Sequence, residues 1–135
     1  MNILFYLIPK KDVVFLYNTY SVRQALEKME FHHYSIIPIL NKDGFYVGSI
    51  SEGDLLWYIK NNNFNIQDLE KITIDNVPHN KELKPIKINA GIKELGLLII
   101  NQNFVPVVDD RNFFIGIVTR KAIISELLKK SGEGD

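Results

Sequence analysis

The chain has 135 residues, 46% of them hydrophobic and 11% aromatic, with sixteen basic side chains balanced by sixteen acidic ones. Such a length can bury a substantial core but is short for two independent domains, and a formal net charge of zero without any basic tract argues against nucleic acid or an anionic membrane as main partner. The absence of cysteine excludes disulfides and thiolate metal sites.

The apolar start, Asn2 to Pro9, has no basic residue before it and is followed by Lys10-Lys11-Asp12. It is too short for a membrane span and wrongly flanked for a secretory signal. The expectation is a segment packed on the body of the fold or on a partner chain, in a cytoplasmic protein. Val13 to Leu16 is β-prone, and Ser21 with Gln24 then reads as a capping box whose helix turns Val22, Ala25, Leu26 and Met29 to one face. Ser35 to Leu40 reads as a buried strand, Asn41 to Gly44 as a turn, and Phe45 to Ile50 as the antiparallel mate. Ser51 caps a helix to about Lys60 that is expected to bury Leu55, Leu56 and Ile59.

Asn61-Asn62-Asn63 closes this unit, Phe64 to Val77 suggests short helical turns around Ile66, Leu69 and Ile72, and His79 to Lys84 is a polar connection. The same order then returns. Pro85 to Ile88 is a strand, Ile92 to Asn101 a helix, Phe104 to Val108 and Phe114 to Val118 a hairpin about the turn Asp109 to Asn112, and Thr119 to about Lys130 a helix. Residues 1–12 are thus an N-terminal segment, 13–62 a first repeat, 63–84 a linker, 85–130 a second repeat and 131–135 a disordered tail.

The duplication is exact in register around the hairpins, where Pro106 follows Pro38 and Gly116 follows Gly48 by 68 positions. Upstream the register is 70, because the second copy has a shorter connection between helix and strand. Each half, at roughly 60 residues, is marginal alone, so a shared core is expected.

The paired pattern, an apolar-Pro strand, an Asp/Gly turn, a Gly-x-[IV]-[ST] strand end and an amphipathic helix, resembles a tandem pair of cystathionine β-synthase (CBS) domains, or Bateman module. The resemblance spans about Val13 to Leu128, and Leu26 to Pro38 with Ile100 to Lys121 resemble small stand-alone CBS-pair proteins of Firmicutes. It implies an α+β fold of two β-α-β-β-α repeats related by a pseudo-two-fold axis, assembled as a homodimer. It also implies a regulatory rather than catalytic role, with an adenine nucleotide (AMP, ADP or ATP) held in the cleft between repeats.

A hydroxyl at a helix N-terminus suits a phosphate, and an Asp one turn later can accept from ribose hydroxyls. Ser51 and Asp54 have that relation, although capping alone selects the same residues. The family pattern takes the adenine pocket from the other repeat, here Pro85, Ile86, Ala90, Asn103, Phe104 and Val105. A second site would use Thr119, Arg120 and Lys121 against Val13, Val14, Tyr20, Ser35 and Ile36. There the sequence departs from the family, because Ala122 stands where Asp54 would repeat. The basic pair behind Thr119 suits a phosphate-rich ligand, so a cyclic di-AMP receptor is one alternative and a ligand-free dimerisation or interaction module another.

No nucleophile-base pair, Gly-rich phosphate loop or paired carboxylates at helical or strand spacing are present, which argues against an enzyme. His32 and His33 are adjacent and point different ways on a helix end, so no metal is expected. No covalent cofactor is implied, and the protein that receives the signal is not readable from this chain.

Overall fold

The computed structural model describes residues 2–79 and 83–133. In chain order the first half contains β1 (Ile8–Pro9), β2 (Leu16–Tyr17), α1 (Val22–His32), β3 (Ile36–Leu40), β4 (Tyr46–Ser51) and α2 (Glu52–Asn61). The second contains β5 (Ile86–Lys87), α3 (Ile92–Ile99), β6 (Phe104–Val108), β7 (Phe114–Thr119) and α4 (Arg120–Glu133). From β2 to α2 and from β5 to α4 the two repeats both read β-α-β-β-α, β1 lying outside this order. Short 3-10 turns at Ile3–Tyr6, Lys10–Asp12, Ile66–Glu70 and Ile74–Asn76 precede or follow them.

Two compact units result, Val14–Glu82 and Met1–Val13 with Leu83–Asp135. Each has its own apolar cluster, where a single shared core was expected. In the first, β2 pairs parallel and β4 antiparallel with the central β3. Leu16, Ile37, Ile39 and Ile50 from this sheet pack with Val22, Ala25 and Met29 of α1 and Leu55 of α2. Ser21 and Gln24 form the expected capping box, with bonds of 2.8 and 3.1 Å, and His33 closes the helix in the left-handed region at φ 58°.

Residues 64–79, expected as part of a linker, complete this unit. Leu69, Ile74 and Val77 enter its cluster. Ile72 O accepts from Val22 N at 2.8 Å, Ile74 N donates to Tyr20 O at 2.9 Å, and Arg23 pairs with Glu27 and Glu70. Ile66, by contrast, is exposed. The rest of the expected connection includes residues 80–82, which lie outside the described residues.

The second unit has the sheet order β1-β7-β6-β5. Its extra strand comes from the N-terminal segment, which packs on the body of the fold: Ile8 lies opposite Ile117, Pro9 opposite Gly116, and Ile3 is buried in the cluster of Ile86, Leu95, Val105, Val107 and Val118. Gly116 is required here, since a Cβ would collide with the carbonyl oxygen of Ile8 and touch Leu7 at 2.9 Å. Burial, and after it the nearby Glu126 carboxylate of α4, raise the Tyr6 hydroxyl above its usual pKa.

Several local expectations need correction. Helix α4 continues through Glu133, so Ser131 to Glu133 are not a disordered tail; Gly134 and Asp135 lie outside the described residues. Leu56 is 56% exposed whereas Leu55 is fully buried. Adjacent residues lie about 100° apart around a helix, and α2 presents only one narrow stripe to its sheet.

Candidate functional site

At the β4–α2 junction the Ser51 hydroxyl accepts from Asp54 N at 3.1 Å, and Asp54 Oδ2 accepts from Ser51 N at 2.9 Å. This reciprocal box satisfies two amides that the helix start would otherwise leave unpaired. Asp54 is only 3% exposed. Its carboxylate is thus committed inward to the cap, while Ser51 stays half-buried at the rim. Ser51 lies opposite Ile36 in the β3–β4 pair, and Glu52 N donates to Ser35 O at 2.9 Å. The start of β3 and the start of α2 are therefore tied together, bringing Ser35, Ile36 and Ser51 to one edge of this unit.

The second unit repeats the edge. Thr119 lies opposite Phe104, Arg120 N donates to Asn103 O at 2.8 Å, and Thr119 Oγ1 accepts from Ala122 N at 3.1 Å. Without a carboxylate at 122 the box is half made. Arg120 is turned away from this hydroxyl's cap: its Nε donates to Ile99 O at 2.8 Å and a second guanidinium nitrogen to Ile100 O at 3.3 Å. It neutralises the carbonyl end of α3. Lys121 remains exposed in the first turn of α4.

Of the residues expected to form the adenine pocket, Ile86, Phe104 and Val105 are buried strand residues, whereas Pro85 and Asn103 are exposed and Ala90 is partly so. Gln102 assembles this edge. Its amide is 6% exposed, accepts from Lys84 N at 2.9 Å, and donates to Lys84 O at 3.1 Å and Phe104 O at 3.2 Å. Pro85 is thereby held near Asn103 and Phe104. No sequence signal singled Gln102 out, because two of its three bonds are to main-chain atoms of Lys84, eighteen residues away.

In the other unit Tyr20 stacks edge-on against Tyr17 at 5.6 Å, with the Lys28 ammonium 5.6 Å from its ring centre. Val14 packs against the core nearby, and Val13 lies in the unit formed with the second repeat. His32 and His33 are exposed. Among the described residues no group of three or more metal-ligating side chains exists, and no described helix is long and apolar enough to cross a membrane.

Two β-α-β-β-α units, each ending its hairpin in a hydroxyl that caps the following helix, define a tandem CBS pair. The CBS domain profile matches residues 7–61 and 74–129, and the chain belongs to this family. Among solved structures it is similar to CbpB in complex with c-di-AMP, at 27% identity and a TM-score of 0.87 over 100% of this chain and 91% of that one. It is also similar to CbpB from Streptococcus agalactiae (28%, 0.80, 90% and 77%) and to a hypothetical conserved protein from Geobacillus kaustophilus (25%, 0.84, 96% and 98%). These are small stand-alone CBS-domain proteins of Firmicutes. No curated protein matches the sequence.

Proposed function

We propose that this chain is a non-catalytic, cytoplasmic regulatory module that binds an adenine nucleotide, and that the nucleotide is cyclic di-AMP. The observation that carries the proposal is the full-length similarity to CbpB, a protein whose structure contains c-di-AMP. The chemistry of the two helix starts supports it. A mononucleotide offers a ribose cis-diol, which the family pattern meets with a carboxylate; here Asp54 is engaged in its own cap and Ala122 has none to offer. In a 3′,5′-linked cyclic dinucleotide the 3′ oxygen is esterified and no cis-diol exists. Such a ligand asks instead for adenine contacts and phosphate donors, for which Pro85, Asn103 and Phe104, the Ser51 and Thr119 hydroxyls and Lys121 are the candidates.

AMP, ADP or ATP at Ser51 and Asp54 is the second proposal, favoured by the intact hydroxyl-carboxylate pair of the first repeat. Calorimetry with cyclic di-AMP, AMP and ATP decides between them. Cyclic di-AMP should bind best, and Thr119→Val or Lys121→Ala should weaken it by about tenfold or more, the range for a hydrogen bond to a charged group. Tight AMP binding at one per chain, abolished by Asp54→Ala and indifferent to Thr119→Val, would reverse the order.

The proposed module works as a homodimer and passes its signal to a separate protein. Exposed apolar side chains on both helix pairs, Phe31, Leu56 and Trp57 in one repeat and Leu97, Ile100, Ile124, Leu127 and Leu128 in the other, support association. Leu55, Met29 and Ile123 on the same helices belong to the cores. Light scattering at micromolar concentration should give the dimer mass.

A further inference from the structure

The pairing of β5 with β6 begins at Ile86, opposite Val107, so Lys84 and Pro85 precede the ladder. The Gln102 side chain stands in for a strand at Lys84. Its primary amide accepts from Lys84 N and donates to Lys84 O, the two bonds that an opposed residue gives in an antiparallel ladder. The amide nitrogen also donates to Phe104 O at the start of β6. From the other side Arg120 ties down the connection from α3 to β6: its guanidinium donates to the carbonyls of Ile99 and Ile100, and its main-chain N–H to that of Asn103. Residues 84–85 and 102–104 are thereby held as one piece.

The first repeat has no such clamp. Tyr34, 47% exposed and stacked on His32, stands where Gln102 would be, and the exposed, acidic Glu52 stands for Arg120. Of the bonds that fix the second edge, the main-chain one is kept, from Glu52 N to Ser35 O. We infer that Gln102 is a positioning residue for the ligand: its amide sets Pro85, Asn103 and Phe104 in the arrangement that receives an adenine before any ligand arrives. This rests on the nucleotide reading above and adds the residue that governs affinity at this edge. The amide is buried, whereas Pro85 and Asn103, which it carries, are open to solvent. That is the relation of a support to the recognition surface above it. A surface ordered in advance does not charge its ordering against binding; ordering even one residue on binding weakens affinity by about tenfold.

Three full-length variants separate positioning from folding. Gln102→Met keeps the volume and removes the bonds, Gln102→Ala removes both, and Ile3→Ala weakens the same core from the N-terminal segment. Each is titrated by calorimetry with cyclic di-AMP, AMP and ATP at a temperature at which its thermal melt shows it folded. Both Gln102 variants should bind about tenfold more weakly or worse, and Ile3→Ala should bind as the wild-type chain does, whatever its melting temperature. Without ligand, hydrogen exchange should find the Lys84 amide protected in the wild-type chain and in Ile3→Ala, and unprotected in Gln102→Met. Undiminished affinity in Gln102→Met, an equal loss in Ile3→Ala, or an unprotected Lys84 amide in the free wild-type chain overturns the positioning role and leaves nucleotide binding standing. A wild-type chain that binds none of the three nucleotides removes that reading and the positioning role with it.

Discussion

In the first repeat Asn41 Oδ1 accepts from Asp43 N and Phe45 N, both at 3.0 Å; in the second Asp109 Oδ1 accepts from Arg111 N and Phe113 N, both at 2.9 Å. Gly44 and Asn112 take the same left-handed position, at φ 88° and 71°. Both hairpins carry a register shift at the same place, between Ile39 and Leu40 and between Val107 and Val108. What is held in common is a backbone path together with the acceptors and positive φ it demands, which Asn or Asp, Gly or Asn can each supply. The differences lie where side chains reach beyond their own turn: Asp54 against Ala122, Tyr34 against Gln102, Glu52 against Arg120.

The sharpest test of that contrast is at the paired glycines. A side chain at Gly116 meets the main chain of β1, which cannot move without losing its pairing; at Gly48 the nearest atom is His79 Nδ1 at 3.0 Å, the end of a side chain. Gly116→Ala should cost about 3 kcal/mol or more, overpacking and backbone strain together, and Gly48→Ala about 1–2 kcal/mol. Urea denaturation that finds the two equal would break the comparison.

Gln102→Ala should come next, at about 2 kcal/mol, because it leaves the part-buried main-chain groups of Lys84 and the buried carbonyl of Phe104 without their partner. Its counterpart Tyr34→Ala, a partly exposed ring stacked on His32, should lose about 0.5 kcal/mol. Equal losses in chemical denaturation would show that Gln102 does not hold this edge.

Asp54→Ala breaks a buried reciprocal cap and should cost about 1–2 kcal/mol. The sequence alone suggests that Ser51 would remain a sufficient cap; the burial of the carboxylate argues otherwise. Ala122→Asp completes the half-made box at α4 and should return about 0.5–1 kcal/mol. A thermal melt in which Ala122→Asp destabilises the protein would mean the two helix starts are less alike than their hydrogen bonds indicate. At the first helix of each repeat Ser21→Ala should cost about 1 kcal/mol, and the smallest effect, a gain of about a few tenths of a kcal/mol, is expected for Gly91→Ser, since Gly91 caps without a side-chain bond.

The amino-acid sequence by itself determined the repeat, the order of elements, the capping boxes at Ser21 and Ser51 and the turns at Asn41 and Asp109. All of these depend on neighbours within a few residues, where spacing in sequence is also spacing in space. It also placed Ser51 and Thr119 at the starts of α2 and α4, because caps are local. Tertiary structure alone decided that Ile8–Pro9 pairs with β7, that residues 64–79 complete the first unit, and that Arg120 serves the end of α3. Each answers an unpaired edge or carbonyl elsewhere in the chain, and such a need leaves no mark at the residue that meets it. Helix phase stood between the two: an apolar stripe was visible in α2, but which of Leu55 and Leu56 faced the sheet was set by the strand beneath.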